Sequence, residues 1–201
     1  MNDNDPYSYP DTDILRNKAD IRNAEKLAKY EYSKVAVRTV ELQENPIPGK
    51  FDLKHLQAIH KHLFQDIYEW ASELRTVAIS KGDTLFAQPD MIESYANSTV
   101  FKDLAKDKYL VGMEKEQFTE RLAHHYAEIN ALHPFREGNG RSTRQFVEQL
   151  ANHAGYEIDY SKVEQKRWNG AAIDSFNGHL EPMKRVFSDV AECSANKISW
   201  I

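Results

Sequence analysis

Cysteine is nearly missing from this chain. The single residue, Cys193, excludes an internal disulfide. No apolar run reaches the roughly 18 residues that a membrane-spanning helix needs. No leader of signal-peptide type is present, so a cytoplasmic protein without a membrane partner is expected. Basic charge is not in excess. A net charge of −5 argues against a general nucleic-acid binder, so no direct nucleic-acid partner is expected. Internal repeats and low-complexity segments are absent too. What remains is ordinary: 201 residues, 41% hydrophobic, enough to bury a core. The expectation is a single domain over 1–201, with a polar arm over 1–12, a core over about 13–192 and a short tail.

Strand signals are as scarce as cysteine, and helical spacing dominates. Asp20 is placed to cap a helix carrying Ile21, Ala24, Ala28, Tyr32, Val35 and Leu42. The Asn45-Pro46-Ile47-Pro48-Gly49 cluster breaks it. Asp52 caps the next helix, with Leu53, Leu56, Ile59, Leu63 and Phe64 on its apolar face. His55, His60 and His62 fall on that helix. No Cys or acidic residue completes a metal spacing, so they read as solvent-facing or hydrogen-bonded. Tyr68 and Trp70 read as core. One hairpin is predicted: Thr76-Val77-Ala78-Ile79, a turn at Lys81-Gly82-Asp83, then Leu85-Phe86-Ala87. Further helices are predicted over 89–104, over 161–176 with Asn177-Gly178 at its end, and over 182–192. The fold class is all-α with one short β-hairpin.

The densest chemistry lies in His133-Pro134-Phe135-Arg136-Glu137-Gly138-Asn139-Gly140-Arg141-Ser142-Thr143-Arg144. Phe118, Leu122, His125, Tyr126, Ile129 and Leu132 predict a helix before it, which Pro134 stops at His133. Phe146, Val147, Leu150, Ala151 and Ala154 predict a second helix, closed by Gly155. The glycines let a ligand approach the backbone. The first turn of the second helix offers free N–H groups and a partial positive charge, which suit phosphate. Arg141 and Arg144 oppose that dipole, a conflict that a polyphosphate would resolve. Glu137 adds a hard oxygen suited to Mg²⁺. His133 is the nearby group that titrates near neutrality.

These residues resemble the signature of the Fic family, HPFx(D/E)GNGRxxR, with every fixed position filled. The similarity to bacterial Fic toxins extends to Asp5-Pro6-Tyr7, Gly49-Lys50-Phe51-Asp52, Tyr68-Glu69-Trp70-Ala71 and Ala154-Gly155-Tyr156. It implies the Fic fold, a helical core with a β-hairpin flap over the site. It also implies AMPylation, the transfer of AMP from ATP to a Ser, Thr or Tyr hydroxyl of a protein target. On that reading His133 is the base, and Gly138, Asn139 and Gly140 hold phosphate oxygens. Glu137 holds Mg²⁺, while Arg141 and Arg144 grip the β- and γ-phosphates. Ile79, Ser80, Lys81 and Gly82 clamp the target as flap residues, with Phe86 as an apolar anchor. Asn177 matches an adenine contact, or is a helix cap, and Trp168 lines the same pocket.

The resemblance leaves competing readings. Doc-type kinases of the family carry Lys where Gly140 stands, so Gly140 favours AMP transfer over phosphoryl transfer. A non-catalytic interaction module would need a damaged motif. Related toxins modify type II DNA topoisomerases, which makes those a candidate target. Fic proteins are restrained by a glutamate in (S/T)xxxE(G/N) that pairs with the second motif arginine, here Arg144. The nearest segment, Ser188-Asp189-Val190-Ala191-Glu192-Cys193, fails at its last position. A separate small antitoxin supplying the glutamate is therefore expected, with Glu192 as an internal inhibitor the alternative.

Overall fold

The computed structural model describes residues 5–81 and 84–194. Its first helix, α1 (Ala24–Glu44), starts at Asn23, whose side-chain oxygen accepts from the Lys26 N–H at 3.0 Å. Asp20 is not the cap. Asn17 holds Ile21 in a turn, accepting from its N–H at 2.9 Å and donating to its C=O at 2.8 Å. That turn puts Asp20 at φ +48°, outside helical geometry. α1 buries Leu27, Val35 and Leu42 but leaves Tyr32 exposed, so its inner stripe is narrower than the spacing predicts. Asp52 caps α2 (Leu53–Phe64) as predicted, accepting from the His55 N–H at 2.9 Å. The apolar face of α2 is fully buried, and His55 and His60 are buried with it.

The hairpin is shorter and later than its β-prone residues predict. β1 (Ser80–Lys81) pairs with β2 (Thr84–Leu85), and the Phe86 N–H reaches the Ile79 carbonyl at 3.4 Å. Residues 76–78 stay out of the ladder because the Val77 carbonyl is taken by a side chain described below. Gly82 lies outside the described residues, as does the side chain of Lys81. Pro89 then opens a helical run: one 3₁₀ turn, α3 (Ile92–Tyr95), a π turn over Ala96–Val100, and α4 (Phe101–Lys106). The wider turn keeps Ile92, Ala96, Val100, Phe101 and Leu104 all in the core.

α5 (Lys115–Leu132) and α6 (Asn139–His153) form the predicted helix pair. The six apolar-face positions of α5 are all buried. His133 ends α5 in left-handed geometry at φ +43°, and Gly138 at φ +82° starts α6. α7 (Gln165–Phe176) and α8 (Glu181–Val190) pack on each other and on α5. A second small sheet was not foreseen. β3 (Tyr156–Ile158) pairs antiparallel with β4 (Ala191–Cys193), setting Glu157 opposite Glu192. The segment from 188 to 193 is thus half helix and half strand, and Glu192 is exposed and ion-paired to Lys162. One continuous core links Tyr7 of the arm, and Leu15 just after it, to Ala191, so the arm is docked rather than merely laid on the surface. No helix among the described residues is long and apolar enough to cross a membrane.

Candidate active site

The loop between α5 and α6 opens on a cavity of about 1230 Å³. Its shape is set by a buried ring and by side chains committed to the loop itself. Phe135 is fully buried and stacks on His60 with ring centroids 3.8 Å apart. The Asn139 side chain spans the loop, accepting from the Phe135 N–H at 2.8 Å and donating to the Phe135 C=O at 2.7 Å. Its amide is therefore spent on the loop, and only its backbone N–H remains for a phosphate. His60 accepts from the Ser72 N–H through Nδ1 at 2.9 Å, so its Nε2–H donates to the Glu137 carbonyl at 3.0 Å. Burial lowers the His60 pKa to about 4 and keeps the ring neutral. Arg136 joins the loop to the arm through Asp5, at 2.6 and 2.9 Å.

The two motif glycines do different work. A Cβ on Gly138 would lie 2.3 Å from the Phe64 ring, so the missing side chain there makes room for a core aromatic at the cavity's edge. At Gly140 a Cβ would meet nothing closer than Arg144 Nη1 at 4.0 Å, which leaves the cavity side open. Beyond Gly138, the first N–H groups of α6 have no partner within the helix.

The arginines also differ. Arg141 lies over the Phe64 ring, 4.8 Å from its centroid, with Nη2 at 2.6 Å from Glu31 and 3.3 Å from Glu137. Arg144 lines the cavity, and among the described residues its guanidinium makes no ion pair or hydrogen bond. Glu137 commits Oε1 to the Gly138 N–H at 2.8 Å and to Arg141. Its Oε2 has no hydrogen-bond partner among the described residues, so a hard cation fits there.

His133 Nδ1 lies 3.1 Å from the Asn130 carbonyl. A carbonyl only accepts, so Nδ1 carries a proton, and a neutral ring then has its lone pair on Nε2. Phe86 stacks on this ring with centroids 3.7 Å apart and meets Phe176 edge-on at 5.6 Å. Phe86 is thus nearly buried, and Leu85 is the apolar side chain the hairpin exposes. Ile79 and Ser80 line the cavity beside it. α7 also lines the cavity, through Gln165, Asn169 and Ile173, with Asn177 just past its end. Asn177 does cap α7, its N–H reaching the Ile173 carbonyl at 3.2 Å, while its side chain is exposed. Trp168 touches the cavity but is mainly core, edge-on to Tyr126, Tyr160 and Phe187.

Sequence reasoning missed Arg75, which is 2% exposed and forms no ion pair among the described residues. Its guanidinium donates to the carbonyls of His133 at 2.8 Å, Val77 at 2.8 Å and Ala87 at 2.5 Å. Its backbone N–H donates to the Pro134 carbonyl at 2.9 Å. One side chain thereby fastens both arms of the hairpin to the end of α5. Burial lowers its pKa. The only sequence signal was an arginine between apolar stretches. Asp103, His124 and His125 also gather elsewhere, with ligand atoms within 4.8 Å. Arg121 already bonds Asp103 at 3.3 Å and Asp107 at 2.5 Å, so that cluster is an ion-pair tie between α4 and α5.

The start of α6, an arginine without an ion pair among the described residues and His133 line one cavity, an arrangement that suits a phosphorylated ligand. The chain belongs to the Fic/DOC family, which matches residues 50–151. It is 44% identical over 186 residues to the probable protein adenylyltransferase Fic of Escherichia coli (strain K12), covering 92% of each chain. It is 40% identical over 195 residues to the protein adenylyltransferase VbhT of Bartonella schoenbuchensis, covering 96% of this chain and 41% of that one. The crystal structure of BepC from Bartonella tribocorum with bound AMPPNP matches with a TM-score of 0.85. Identity there is 29%, over 94% of this chain and 97% of that chain.

Proposed function

We propose that this protein transfers AMP from ATP to a hydroxyl of a protein target. The observation that carries the reading is one cavity lined both by His133, whose Nδ1 donates to Asn130, and by Arg144, which makes no ion pair among the described residues. The target hydroxyl oxygen attacks the α-phosphorus. Its proton passes to His133 Nε2, and the bond to the β-phosphate oxygen breaks, releasing pyrophosphate. The N–H groups of Asn139 and Gly140 hold phosphate oxygens where charge builds. Arg144 takes the distal phosphates, bidentately. Glu137 Oε2 would hold Mg²⁺, which would supply neutralising charge to the phosphates when bound. The α7 wall, with Asn169, Ile173 and Asn177, faces the nucleobase. Ile79, Ser80 and Lys81 align the target segment as an added strand.

The names of the relatives in Escherichia coli and Bartonella and the AMPPNP in BepC support this reading. Phosphoryl transfer is the second reading. The open space at Gly140 disfavours it, because no long cation stands there to reverse the nucleotide. Incubation of the chain with a bacterial lysate and ATP labelled at the α or γ position separates the two. Label from the α position alone is expected. Label from γ alone would establish a kinase, and label from neither, with nucleotide still bound, a binding module.

For biological role we propose a cytoplasmic toxin held in check by a small partner protein that places a carboxylate on Arg144. The unpaired Arg144 and the engagement of Glu192 with Lys162 support restraint from outside the chain. The resemblance alone carries the target class, a tyrosine near the ATP site of a type II DNA topoisomerase. Expression of the chain alone, beside Glu192→Gly, is the check. Equal toxicity of the two is expected, whereas a chain harmless until Glu192 is removed would place the inhibitor inside.

A further inference from the structure

We propose that Glu31, on α1, is a positioning residue: a fixed counter-ion that holds Arg141 and so leaves Glu137 open to a cation. The inference rests on the AMP-transfer reading above. Glu31 does not line the cavity. Its side chain is 13% exposed, against 46% for Glu137. One oxygen is 2.6 Å from Arg141 Nη2, and the other accepts a short bond from the Tyr68 hydroxyl. Burial and the Glu31 charge keep the proton on Tyr68, so the phenol always donates. Phe64 supports the guanidinium from its face.

Arg141 Nη2 is therefore shared between two carboxylates. The closer and drier one, Glu31, takes the larger part of its charge. Glu137 is held weakly at 3.3 Å and keeps Oε2 for a cation. If Glu31 loses its charge, Arg141 has Glu137 as its only carboxylate and closes on it. Two opposite effects follow. The cradle gains one net positive charge, which favours a bare triphosphate. Glu137 is drawn away from the cation, which disfavours the metal-bound form.

Glu31→Gln in the full chain is the test, because the amide keeps the shape and can still accept from Tyr68. Affinity for a non-hydrolysable ATP analogue is measured with and without Mg²⁺, alongside Tm and the Mg²⁺ dependence of AMP transfer. Metal-free affinity should rise by about three- to fivefold and the half-saturating Mg²⁺ by a similar factor, the range expected for a partly exposed ion pair. In an Arg141→Met background the same substitution should change neither. Unchanged affinities, or metal-free and metal-bound affinities that fall together, would overturn the proposal. If the wild-type chain transfers no AMP, the reading of the reaction fails. The metal-free binding arm then still decides the role of Glu31.

Discussion

Single residues in the loop look alike in sequence and behave differently in space. His133→Ala should lower AMP transfer by about 10²–10⁴-fold, the usual contribution of a general base. Isothermal titration should find nucleotide affinity nearly unchanged, and a comparable loss of binding would count against the role. Gly138 and Gly140 make a sharper contrast. Gly138→Ala forces a Cβ against Phe64 at a left-handed φ, at a cost of roughly 2–4 kcal/mol from overpacking plus backbone strain. Gly140→Ala meets open space and should leave Tm nearly unchanged. Equal Tm values for the two variants in a thermal melt would contradict this geometry. The motif was legible because its residue types name their chemistry. Which glycine serves the core was not, because Phe64 comes from a distant helix. For the same reason the two arginines read as a matched pair, although Glu31 claims only one of them.

At the scale of elements, the legible parts were those governed by local period. α2, α5 and α6 obey helical spacing, and their faces are buried as spaced. Differences arise where side-chain bonding or a distant partner decides: the local amide of Asn17 moves the start of α1, and the pairing of β3 with β4 joins segments separated by two helices. The hairpin was legible as a signal, but its register was not. Arg75 occupies the carbonyls that a longer ladder would use. Arg75→Met leaves carbonyls of His133, Val77 and Ala87 without their donor, at about 1–3 kcal/mol each for those that water cannot reach. The KM for the protein target should rise while nucleotide affinity holds. Arg75→Lys should not rescue it, because one ammonium cannot reach three carbonyls in a fork. Steady-state kinetics against target and ATP separately would reveal the split, and equal losses in both would refute it.

At the scale of the whole molecule, buried imidazoles set the response to acid. His55, His60 and His125 are all held below their ordinary pKa of 6.5, chiefly by burial, His60 to about 4. Below pH 6.5 the unfolded chain takes up protons that the folded chain refuses. The stabilisation is therefore complete above that value and is lost as pH falls toward 4. Tm should decline steadily across this window, and a flat profile would show that the histidines are accessible. The pairing of β3 with β4 has a further consequence. Residues 156–193 begin and end side by side in one hydrogen-bonded pairing, with α7 and α8 between them packed on α5. The wall proposed for the nucleobase thus lies in a single stretch of chain with joined ends, while the loop, the arginines and the hairpin lie outside that stretch. Grafting this segment from a relative with another nucleotide preference should transplant the preference and leave the phosphate chemistry behind. Evolution could retune the one without rebuilding the other.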